Sequence, residues 1–232
     1  MGKNRPASPP HIKHPTKPVP PTRKKKKGSK KPILVLDLDN TLLSSIETSR
    51  VDSVNKRRKQ IPNSQFRHTD AFGIYRIYHR PYLQEFLDYA VSHFQVIIWT
   101  AGTEEYAKFI VKNILTPRLG YETPYICIRK RKDRSFPLLY SHDDCLKSQI
   151  QFRTKALKDL RYLSHLHPEF TLDQMMILDD MPGVKKTNRK HAIRAKYFDV
   201  TKSGSEYDTY LLRYIKKLAE MKDRYKRTGK MI

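Results

Sequence analysis

The chain has 232 residues, of which 47 are Lys or Arg and 23 are Asp or Glu, so its formal net charge at pH 7 is +24. Two cysteines are too few for a disulfide framework, and no stretch approaches the roughly 18 consecutive apolar residues that a membrane helix requires. The length predicts one domain with tails, the charge predicts an acidic partner, and we expect an intracellular protein without a membrane span.

The first segment of the chain, residues 1–31, contains eleven Lys and Arg, seven Pro and no acidic residue. This composition cannot bury a core and predicts a disordered tail. The basic run at residues 23–27 is typical of a nuclear-localisation signal or a polyanion-binding patch, and therefore favours a nuclear or nucleocytoplasmic protein that binds nucleic acid non-specifically. A solubilising tail is the alternative. We predict a folded domain over residues 32–220 and a basic C-terminal end over 221–232.

Two aspartates follow the first predicted strand. The unbroken apolar run at residues 33–36 is typical of a strand buried on both faces, and Asp37 stands at its carboxyl end, where ligands bind in open parallel sheets. Side chains two apart in an extended segment project to the same side, so Asp37 and Asp39 can converge on one point. Two converging carboxylates require a cation. An acidic turn is the alternative interpretation.

Apolar runs and helical patterns then alternate along the chain. Residues 44–73 are polar and predict a flap over the site, and residues 121–150 predict a second, irregular insertion with short strands at 125–128 and 136–140. Strands are predicted at 94–99, at 175–178 and near 195–198, and helices from Pro81, from Thr103 to Pro117, over 153–163 and over 206–225. The first helix has an apolar face of Leu83, Phe86, Leu87 and Ala90, and the second has one of Tyr106, Ile110, Val111, Ile114 and Leu115. This alternation predicts an α/β fold with a central parallel sheet.

Five ordered segments resemble one known family. They read DLDNTL at 37–42, HRPYLQEFL at 79–87, IIWTAGTEEYA at 97–107, KDL at 158–160 and ILDDMP at 177–182. Together they are similar to the phosphatases of the RNA polymerase II C-terminal domain, the small CTD phosphatase or NLI-interacting factor-like group of the haloacid dehalogenase superfamily. The resemblance implies a Rossmann-like fold with small cap insertions, and a Mg²⁺-dependent protein serine/threonine phosphatase.

The two aspartates have distinct expected roles. A carboxylate with a pKa near ~3.9 is ionised at neutral pH, so Asp37 needs no base before it attacks phosphorus. A bound Mg²⁺ would offset the repulsion between the two anions. Asp39 would protonate the leaving oxygen and then deprotonate the hydrolytic water. The resemblance assigns these same roles, and it also implies that Asp39 offers its backbone carbonyl to the metal.

Further residues are candidates for binding phosphate. The hydroxyl of Thr100 and the amides of Ala101 and Gly102 follow a strand and could hold phosphate oxygens. A strand-end threonine is otherwise a helix cap, and the WTAGT context favours the phosphate role. The KDL segment favours Lys158 as the phosphate-binding lysine, with Lys155 one helical turn away as the alternative.

The last predicted metal ligands are Asp179 and Asp180. The resemblance implies that Asp180 completes the metal shell and that Asp179 supports it. Residues 165–170 make the connection before them longer than is usual in the family, which bears on the choice of lysine. Residues 141–145 contain metal-binding types, but no second cluster stands at zinc spacing.

The expected substrate is a phosphorylated peptide or protein, such as the RNA polymerase II C-terminal domain, and this expectation comes from the resemblance. Two alternatives remain open. The same site would serve a phosphatase of nucleic-acid ends, which a basic surface suits. The chain would otherwise be a polyanion-binding protein whose phosphatase activity is secondary.

Overall fold

A parallel sheet organises the protein. The computed structural model describes residues 31–51, 66–116, 138–153 and 158–232, and residues 31–232 form one compact unit. Within the described residues, eight strands occur: β1 Ile33–Leu36, β2 Leu43–Glu47, β3 His68–Ala71, β4 Tyr75–His79, β5 Gln95–Trp99, β6 Leu138–Tyr140, β7 Met175–Asp179 and β8 Ala192–Arg194. Five of them form a parallel sheet in the order β6-β5-β1-β7-β8.

The central position of β1 follows from its composition. Each of its four residues is at most 1% exposed, and successive side chains enter different cores, Leu34 and Leu36 on one face and Ile33 and Val35 on the other. If the parallel strands are numbered in chain order, the sheet reads 3-2-1-4-5, a Rossmann-like order whose direction reverses at β1. The predicted α/β fold with a parallel sheet is therefore confirmed.

Helices cover both faces of the sheet. Their bounds are α1 Leu83–His93, α2 Glu104–Ile110, which continues as a wider turn at Val111–Leu115, α3 His142–Phe152, α4 Leu160–Leu166, α5 Pro182–Asn188 and α6 Tyr210–Thr228. Side chains of α1, α2 and α6 pack in the core that contains Leu34. Those of α3, α4 and α5 pack in the core that contains Val35. No described helix is long and apolar enough to cross a membrane.

The predicted flap at residues 44–73 contains strands of a second sheet and buried apolar residues, which its polar sequence did not indicate. Strands β2, β4 and β3 form an antiparallel sheet in that order, and Phe66 and Ala71 are buried. The segments LSSIE and HTDA contain Ser, Thr, Asp and His because these strands are partly exposed, and this masks the apolar alternation.

Helix boundaries in the second half of the chain also differ from those predicted. Helix α3 lies mostly within the segment 121–150 that was expected to be irregular, and it begins with a capping box between Ser141 and Asp144. The helix predicted over 153–163 is confirmed at residues 160–163, which belong to α4, and is wrong at Arg153, which ends α3 in the left-handed region at φ 45°, and at residues 158 and 159, since Asp159 caps α4. Lys158 therefore precedes a helix instead of lying on one.

Two C-terminal elements are shifted along the chain. The strand expected near 195–198 is β8, three residues earlier, and the closing helix begins at Tyr210. This helix extends past residue 220, the predicted end of the domain, and its apolar face packs on α1. Met231, which follows the helix, is also buried. Several parts of the chain lie outside the described residues. They are residues 1–30, two basic runs at 56–59 and 129–132, the strand predicted at 125–128, Pro117 and Lys155.

Candidate active site

Three carboxylates converge where the strand order reverses. Asp37 follows β1, Asp179 ends the adjacent strand β7, and Asp180 comes next. The backbone amide of Asp37 donates to the carbonyl of Leu178 at 3.1 Å, which continues the pairing of the two strands. One carboxylate oxygen from each of the three aspartates lies within 4.8 Å of the others. The switch point of an open parallel sheet is where such folds bind ligands.

Lys158 lies between two of these carboxylates. Its Nζ donates to Asp37 Oδ1 at 2.5 Å and to Asp179 Oδ2 at 2.7 Å, and the side chain is 1% exposed. Burial opposes its charge, but the two carboxylates more than offset that effect and hold the pKa of Lys158 above its ordinary value. A lysine placed in this way keeps its positive charge beside the expected nucleophile.

The backbone around Lys158 is held by Asn188 at the end of α5. The Asn188 side chain donates to the Lys158 carbonyl and accepts from the Leu160 amide, both at 2.9 Å. Asn188 is itself buried. These two bonds fix an irregular segment from outside it, so the position of Lys158 depends on α5 rather than on its own local structure.

The acidic cluster fits a divalent cation. Burial raises the pKa of Asp37 to about 7, Lys158 opposes that rise, and Asp179 adds to it. Burial and then the charge of Asp179 raise the pKa of Asp180 as well. Three crowded, largely buried carboxylates with one lysine carry a surplus of negative charge, and their oxygen donors are those that Mg²⁺ prefers.

Thr41 connects two of the carboxylates and was absent from the predicted site residues. Its Oγ1 donates to Asp37 Oδ2 at 2.8 Å and accepts from the Asp180 amide at 3.2 Å. Its carbonyl accepts from Arg80 at 2.7 Å, and the buried Arg80 also pairs with Asp208 at 2.9 Å. The place of Thr41 in the DLDNT segment was the signal that could have identified it.

Asp39 has a different environment from Asp37. Its Oδ1 accepts from the Tyr106 hydroxyl at 2.5 Å and from the Ser45 hydroxyl at 3.1 Å. Burial raises the pKa of Asp39 above its ordinary value, although these two hydrogen bonds oppose the shift. The sequence had suggested only a core position for Tyr106 and a flap position for Ser45, and no local pattern marks either as a partner of Asp39.

The segment after β5 lies at the same edge of the sheet. Thr100 is 1% exposed, and its Oγ1 accepts from the Gly102 amide at 3.0 Å. Thr103, not Thr100, caps the following helix through the Tyr106 amide. A Cβ on Gly102 would lie 2.8 Å from Tyr106 Cδ1, so the absence of a side chain there lets Tyr106 approach Asp39. Ala101, between Thr100 and Gly102 in the chain, is partly buried.

The structure thus brings Asp37, Asp179, Asp180 and Lys158 together and places Asp39 on the same loop. Lys155 lies outside the described residues. Residues 141–145 begin α3, where Ser141 and Asp144 form its cap and Cys145 is buried in the core. Ser141, Asp144 and Cys145 therefore have structural contacts, and His142 and Asp143 are exposed.

Residues 32–226 match the family model described as NLI interacting factor-like phosphatase. The chain belongs to this family. It is therefore a phosphatase, and the resemblance carried by the five segments is confirmed.

Three proteins with names are similar to this chain. The CTD phosphatase-like protein 355R of Invertebrate iridescent virus 3 is 31% identical over 195 residues, which cover 84% of this chain and 99% of the viral protein. The nuclear envelope morphology protein 1 of Saccharomyces cerevisiae is 27% identical, with 75% of this chain and 35% of that protein covered. A solved structure of Fcp1, an RNA polymerase II CTD phosphatase, aligns with a TM-score of 0.48 and 20% identity over 87% of this chain and 53% of that one.

Proposed function

We propose that this protein is a Mg²⁺-dependent protein serine/threonine phosphatase that acts through an aspartyl-phosphate on Asp37. The observation that carries the proposal is the contact of Asp37 with the buried Lys158 inside a cluster of three carboxylates. A nucleophilic carboxylate, a fixed cation and an oxygen-rich metal site are the parts that phosphoryl transfer needs. The name given to the viral relative supports a substrate like the RNA polymerase II C-terminal domain.

In the first step, Asp37 attacks the phosphorus of a phosphoserine or phosphothreonine. A bond forms between a carboxylate oxygen and phosphorus, and the bond from phosphorus to the side-chain oxygen of the substrate breaks. Asp39 gives its proton to that departing oxygen. Burial raises the pKa of Asp39 above its ordinary value, which is the direction that proton donation needs. Lys158 remains charged beside the nucleophile and stabilises the negative charge of the transferring group.

In the second step, water attacks the phosphorus of the aspartyl-phosphate and Asp39 accepts the proton of that water. The bond between phosphorus and Asp37 then breaks, which releases phosphate and restores both carboxyl groups. Thr100 and the Ala101 amide would supply hydrogen bonds to the phosphate oxygens, and the Gly102 amide, which donates to Thr100 Oγ1, would hold that hydroxyl in place. Asp37, Asp180 and the Asp39 carbonyl would hold the Mg²⁺, with Asp179 in support, and the ion supplies compensation for the charge on the phosphoryl oxygens.

The strong positive charge of the chain suits a substrate with several negative charges, and it favours the nucleus as the place of action. A phosphatase of nucleic-acid ends is the second candidate function, since the same positive charge would attract nucleic acid. Both candidate functions would use the same reaction centre.

A substrate comparison tests the proposal. Phosphate release by the full chain would be measured with Mg²⁺ and with EDTA on a phosphoserine peptide and on oligonucleotides phosphorylated at the 5′ or 3′ end. We expect metal-dependent turnover of the peptide, its loss in Asp37→Asn, and normal turnover in Asp143→Asn, an exposed aspartate on α3. Faster turnover of an oligonucleotide would favour the second function, and full activity of Asp37→Asn would overturn the mechanism.

A further inference from the structure

A group of basic and aromatic side chains lies at the end of the sheet opposite to the proposed active site. It consists of Lys31, which precedes β1, of Tyr89 and His93 in the last two turns of α1, and of Lys222 and Lys226 on α6. We call these five residues the amino-edge cluster. Because Asp37 follows the carboxyl end of β1, the full length of that strand separates it from Lys31.

Contacts within the amino-edge cluster hold its members in place. Lys31 Nζ donates to the carbonyls of Val91 at 3.2 Å and Ser92 at 2.9 Å, at the end of α1 where the helix dipole favours a cation. The rings of Tyr89 and His93, four residues apart on α1, lie edge to face with centroids 4.6 Å apart. Lys222 Nζ lies 5.6 Å from the centroid of the Tyr89 ring. Lys226 follows one helical turn later on α6.

The charges of the cluster are unbalanced. Burial and then the charges of Lys222, Lys226 and Lys31 lower the pKa of His93, so all three lysines lie close enough to act on the same imidazole. Asp223 acts on His93 in the opposite direction, and its side chain is 60% exposed and lies 3.9 Å from Lys222. Three like charges repel one another, and an anion bound between them would relieve that repulsion.

We propose that the amino-edge cluster binds the phosphate backbone of a nucleic acid, at a site separate from the phosphatase centre. Lysines beside aromatic rings are the combination that single-stranded nucleic acids contact, phosphate to ammonium and base to ring. The sequence supports an extended polyanion as the ligand. Residues 1–30 carry ten Lys and Arg and no acid, and they precede Lys31 in the chain. A nucleic acid offers a row of phosphates to so many positive charges, whereas a small anion offers one.

A paired-lysine comparison tests the site in the full chain. The dissociation constant for a labelled single-stranded RNA of mixed sequence would be measured across a range of salt concentrations for the wild type, for Lys222→Ala/Lys226→Ala and for Lys186→Ala/Lys190→Ala. The control also removes two lysines four residues apart, from α5 and the turn that follows it. We expect the first double variant to weaken binding on the order of 10-fold near 0.1 M salt and to lower the slope of log Kd against log salt by about 1.4, since each phosphate contact on a single strand contributes about 0.7.

The control variant should lose less than half as much RNA affinity, and both double variants should hydrolyse phenyl phosphate at the wild-type rate. Lys226→Glu, at an exposed position, should weaken RNA binding without disturbing the packing of Lys222 on Tyr89. Wild-type affinity and slope in Lys222→Ala/Lys226→Ala would overturn the proposal, and so would an equal loss in the control, which would show binding by overall charge. Loss of binding to anionic lipid vesicles with unchanged RNA binding would assign the cluster to a membrane surface instead.

Discussion

Different hydrogen-bond partners separate the two aspartates of the DLDNT segment. Asp37 contacts a charged lysine and the Thr41 hydroxyl, whereas Asp39 contacts the neutral hydroxyls of Tyr106 and Ser45. Burial raises the pKa of both carboxyl groups, and different partners oppose that rise: the charge of Lys158 at Asp37, and the hydroxyls of Tyr106 and Ser45 at Asp39. Asp37 therefore has a fixed cation beside it, as a nucleophile for phosphate needs, whereas Asp39 has neutral hydrogen-bond donors.

The contact of Lys158 with Asp37 predicts a large effect on turnover. Lys158→Ala should lower kcat on a small phosphate ester by on the order of 10²-fold, the scale of losing one preorganised donor. Lys155→Ala, the alternative from the sequence, should have a far smaller effect. Steady-state kinetics with circular dichroism as the check on folding will measure both, and the reverse ranking would show that the wrong lysine was assigned.

The hydroxyl of Tyr106 should matter most when the leaving group is poor. Tyr106→Phe removes a hydrogen bond to Asp39 but keeps the ring, so we expect roughly a 10-fold loss of kcat on phenyl phosphate, as for a hydrogen bond to a charged group. The loss on 4-nitrophenyl phosphate should be smaller, because that leaving group needs no proton. Tyr75→Phe, whose ring packs against Tyr106, is the control. Equal losses on both esters would indicate a structural role only.

At the scale of elements, α6 is connected to the catalytic loop by a buried ion pair. Arg80, between β4 and α1, pairs with Asp208 just before α6 and also donates to the Thr41 carbonyl. Its guanidinium lies 5.2 Å from the centroid of the Phe198 ring and 5.8 Å from that of Tyr210. The loop that contains the nucleophile is therefore held by elements far from it in sequence.

Breaking this pair from one side should be costly. Asp208→Ala leaves the Arg80 charge buried without its carboxylate, so the free energy of unfolding should fall by about 3–5 kcal/mol. Chemical denaturation measures this change. Asp70→Ala, which removes the partner of the more exposed Arg76, should cost less than about 1 kcal/mol. A similar small loss in Asp208→Ala would mean that the buried pair does not stabilise the fold.

At the scale of the whole molecule, the basic N-terminal segment and the amino-edge cluster are distinct from the proposed catalytic residues. Residues 1–30 contain none of the proposed site residues, and the amino-edge cluster lies at the opposite end of β1 from Asp37. Binding to polyanions and hydrolysis of a small ester should therefore be separable by mutation.

Deletion of residues 1–30 tests this separation. We expect weaker binding to DNA and RNA, a lower salt dependence and less nuclear accumulation, because ten positive charges are lost. The kcat on a small phosphate ester should stay within about twofold of the full chain, since none of the deleted residues belongs to the proposed site. Loss of that activity in a folded protein would place the segment in the catalytic unit.

The sequence by itself determined the family, the α/β class and the carboxylates at strand ends, because each depends on contiguous residues: an apolar run followed by DLDNT, WTAGT or ILDD. Tertiary structure decided what these residues touch. Asn188 holds the segment of Lys158, Tyr106 reaches Asp39 past Gly102, and Arg80 joins Thr41 to Asp208. The partners in these contacts are 30 to 128 residues apart, and no local periodicity encodes such distances. For the same reason the polar strands β2 and β3 were missed, since their pairing with β4, not their own pattern, makes them strands.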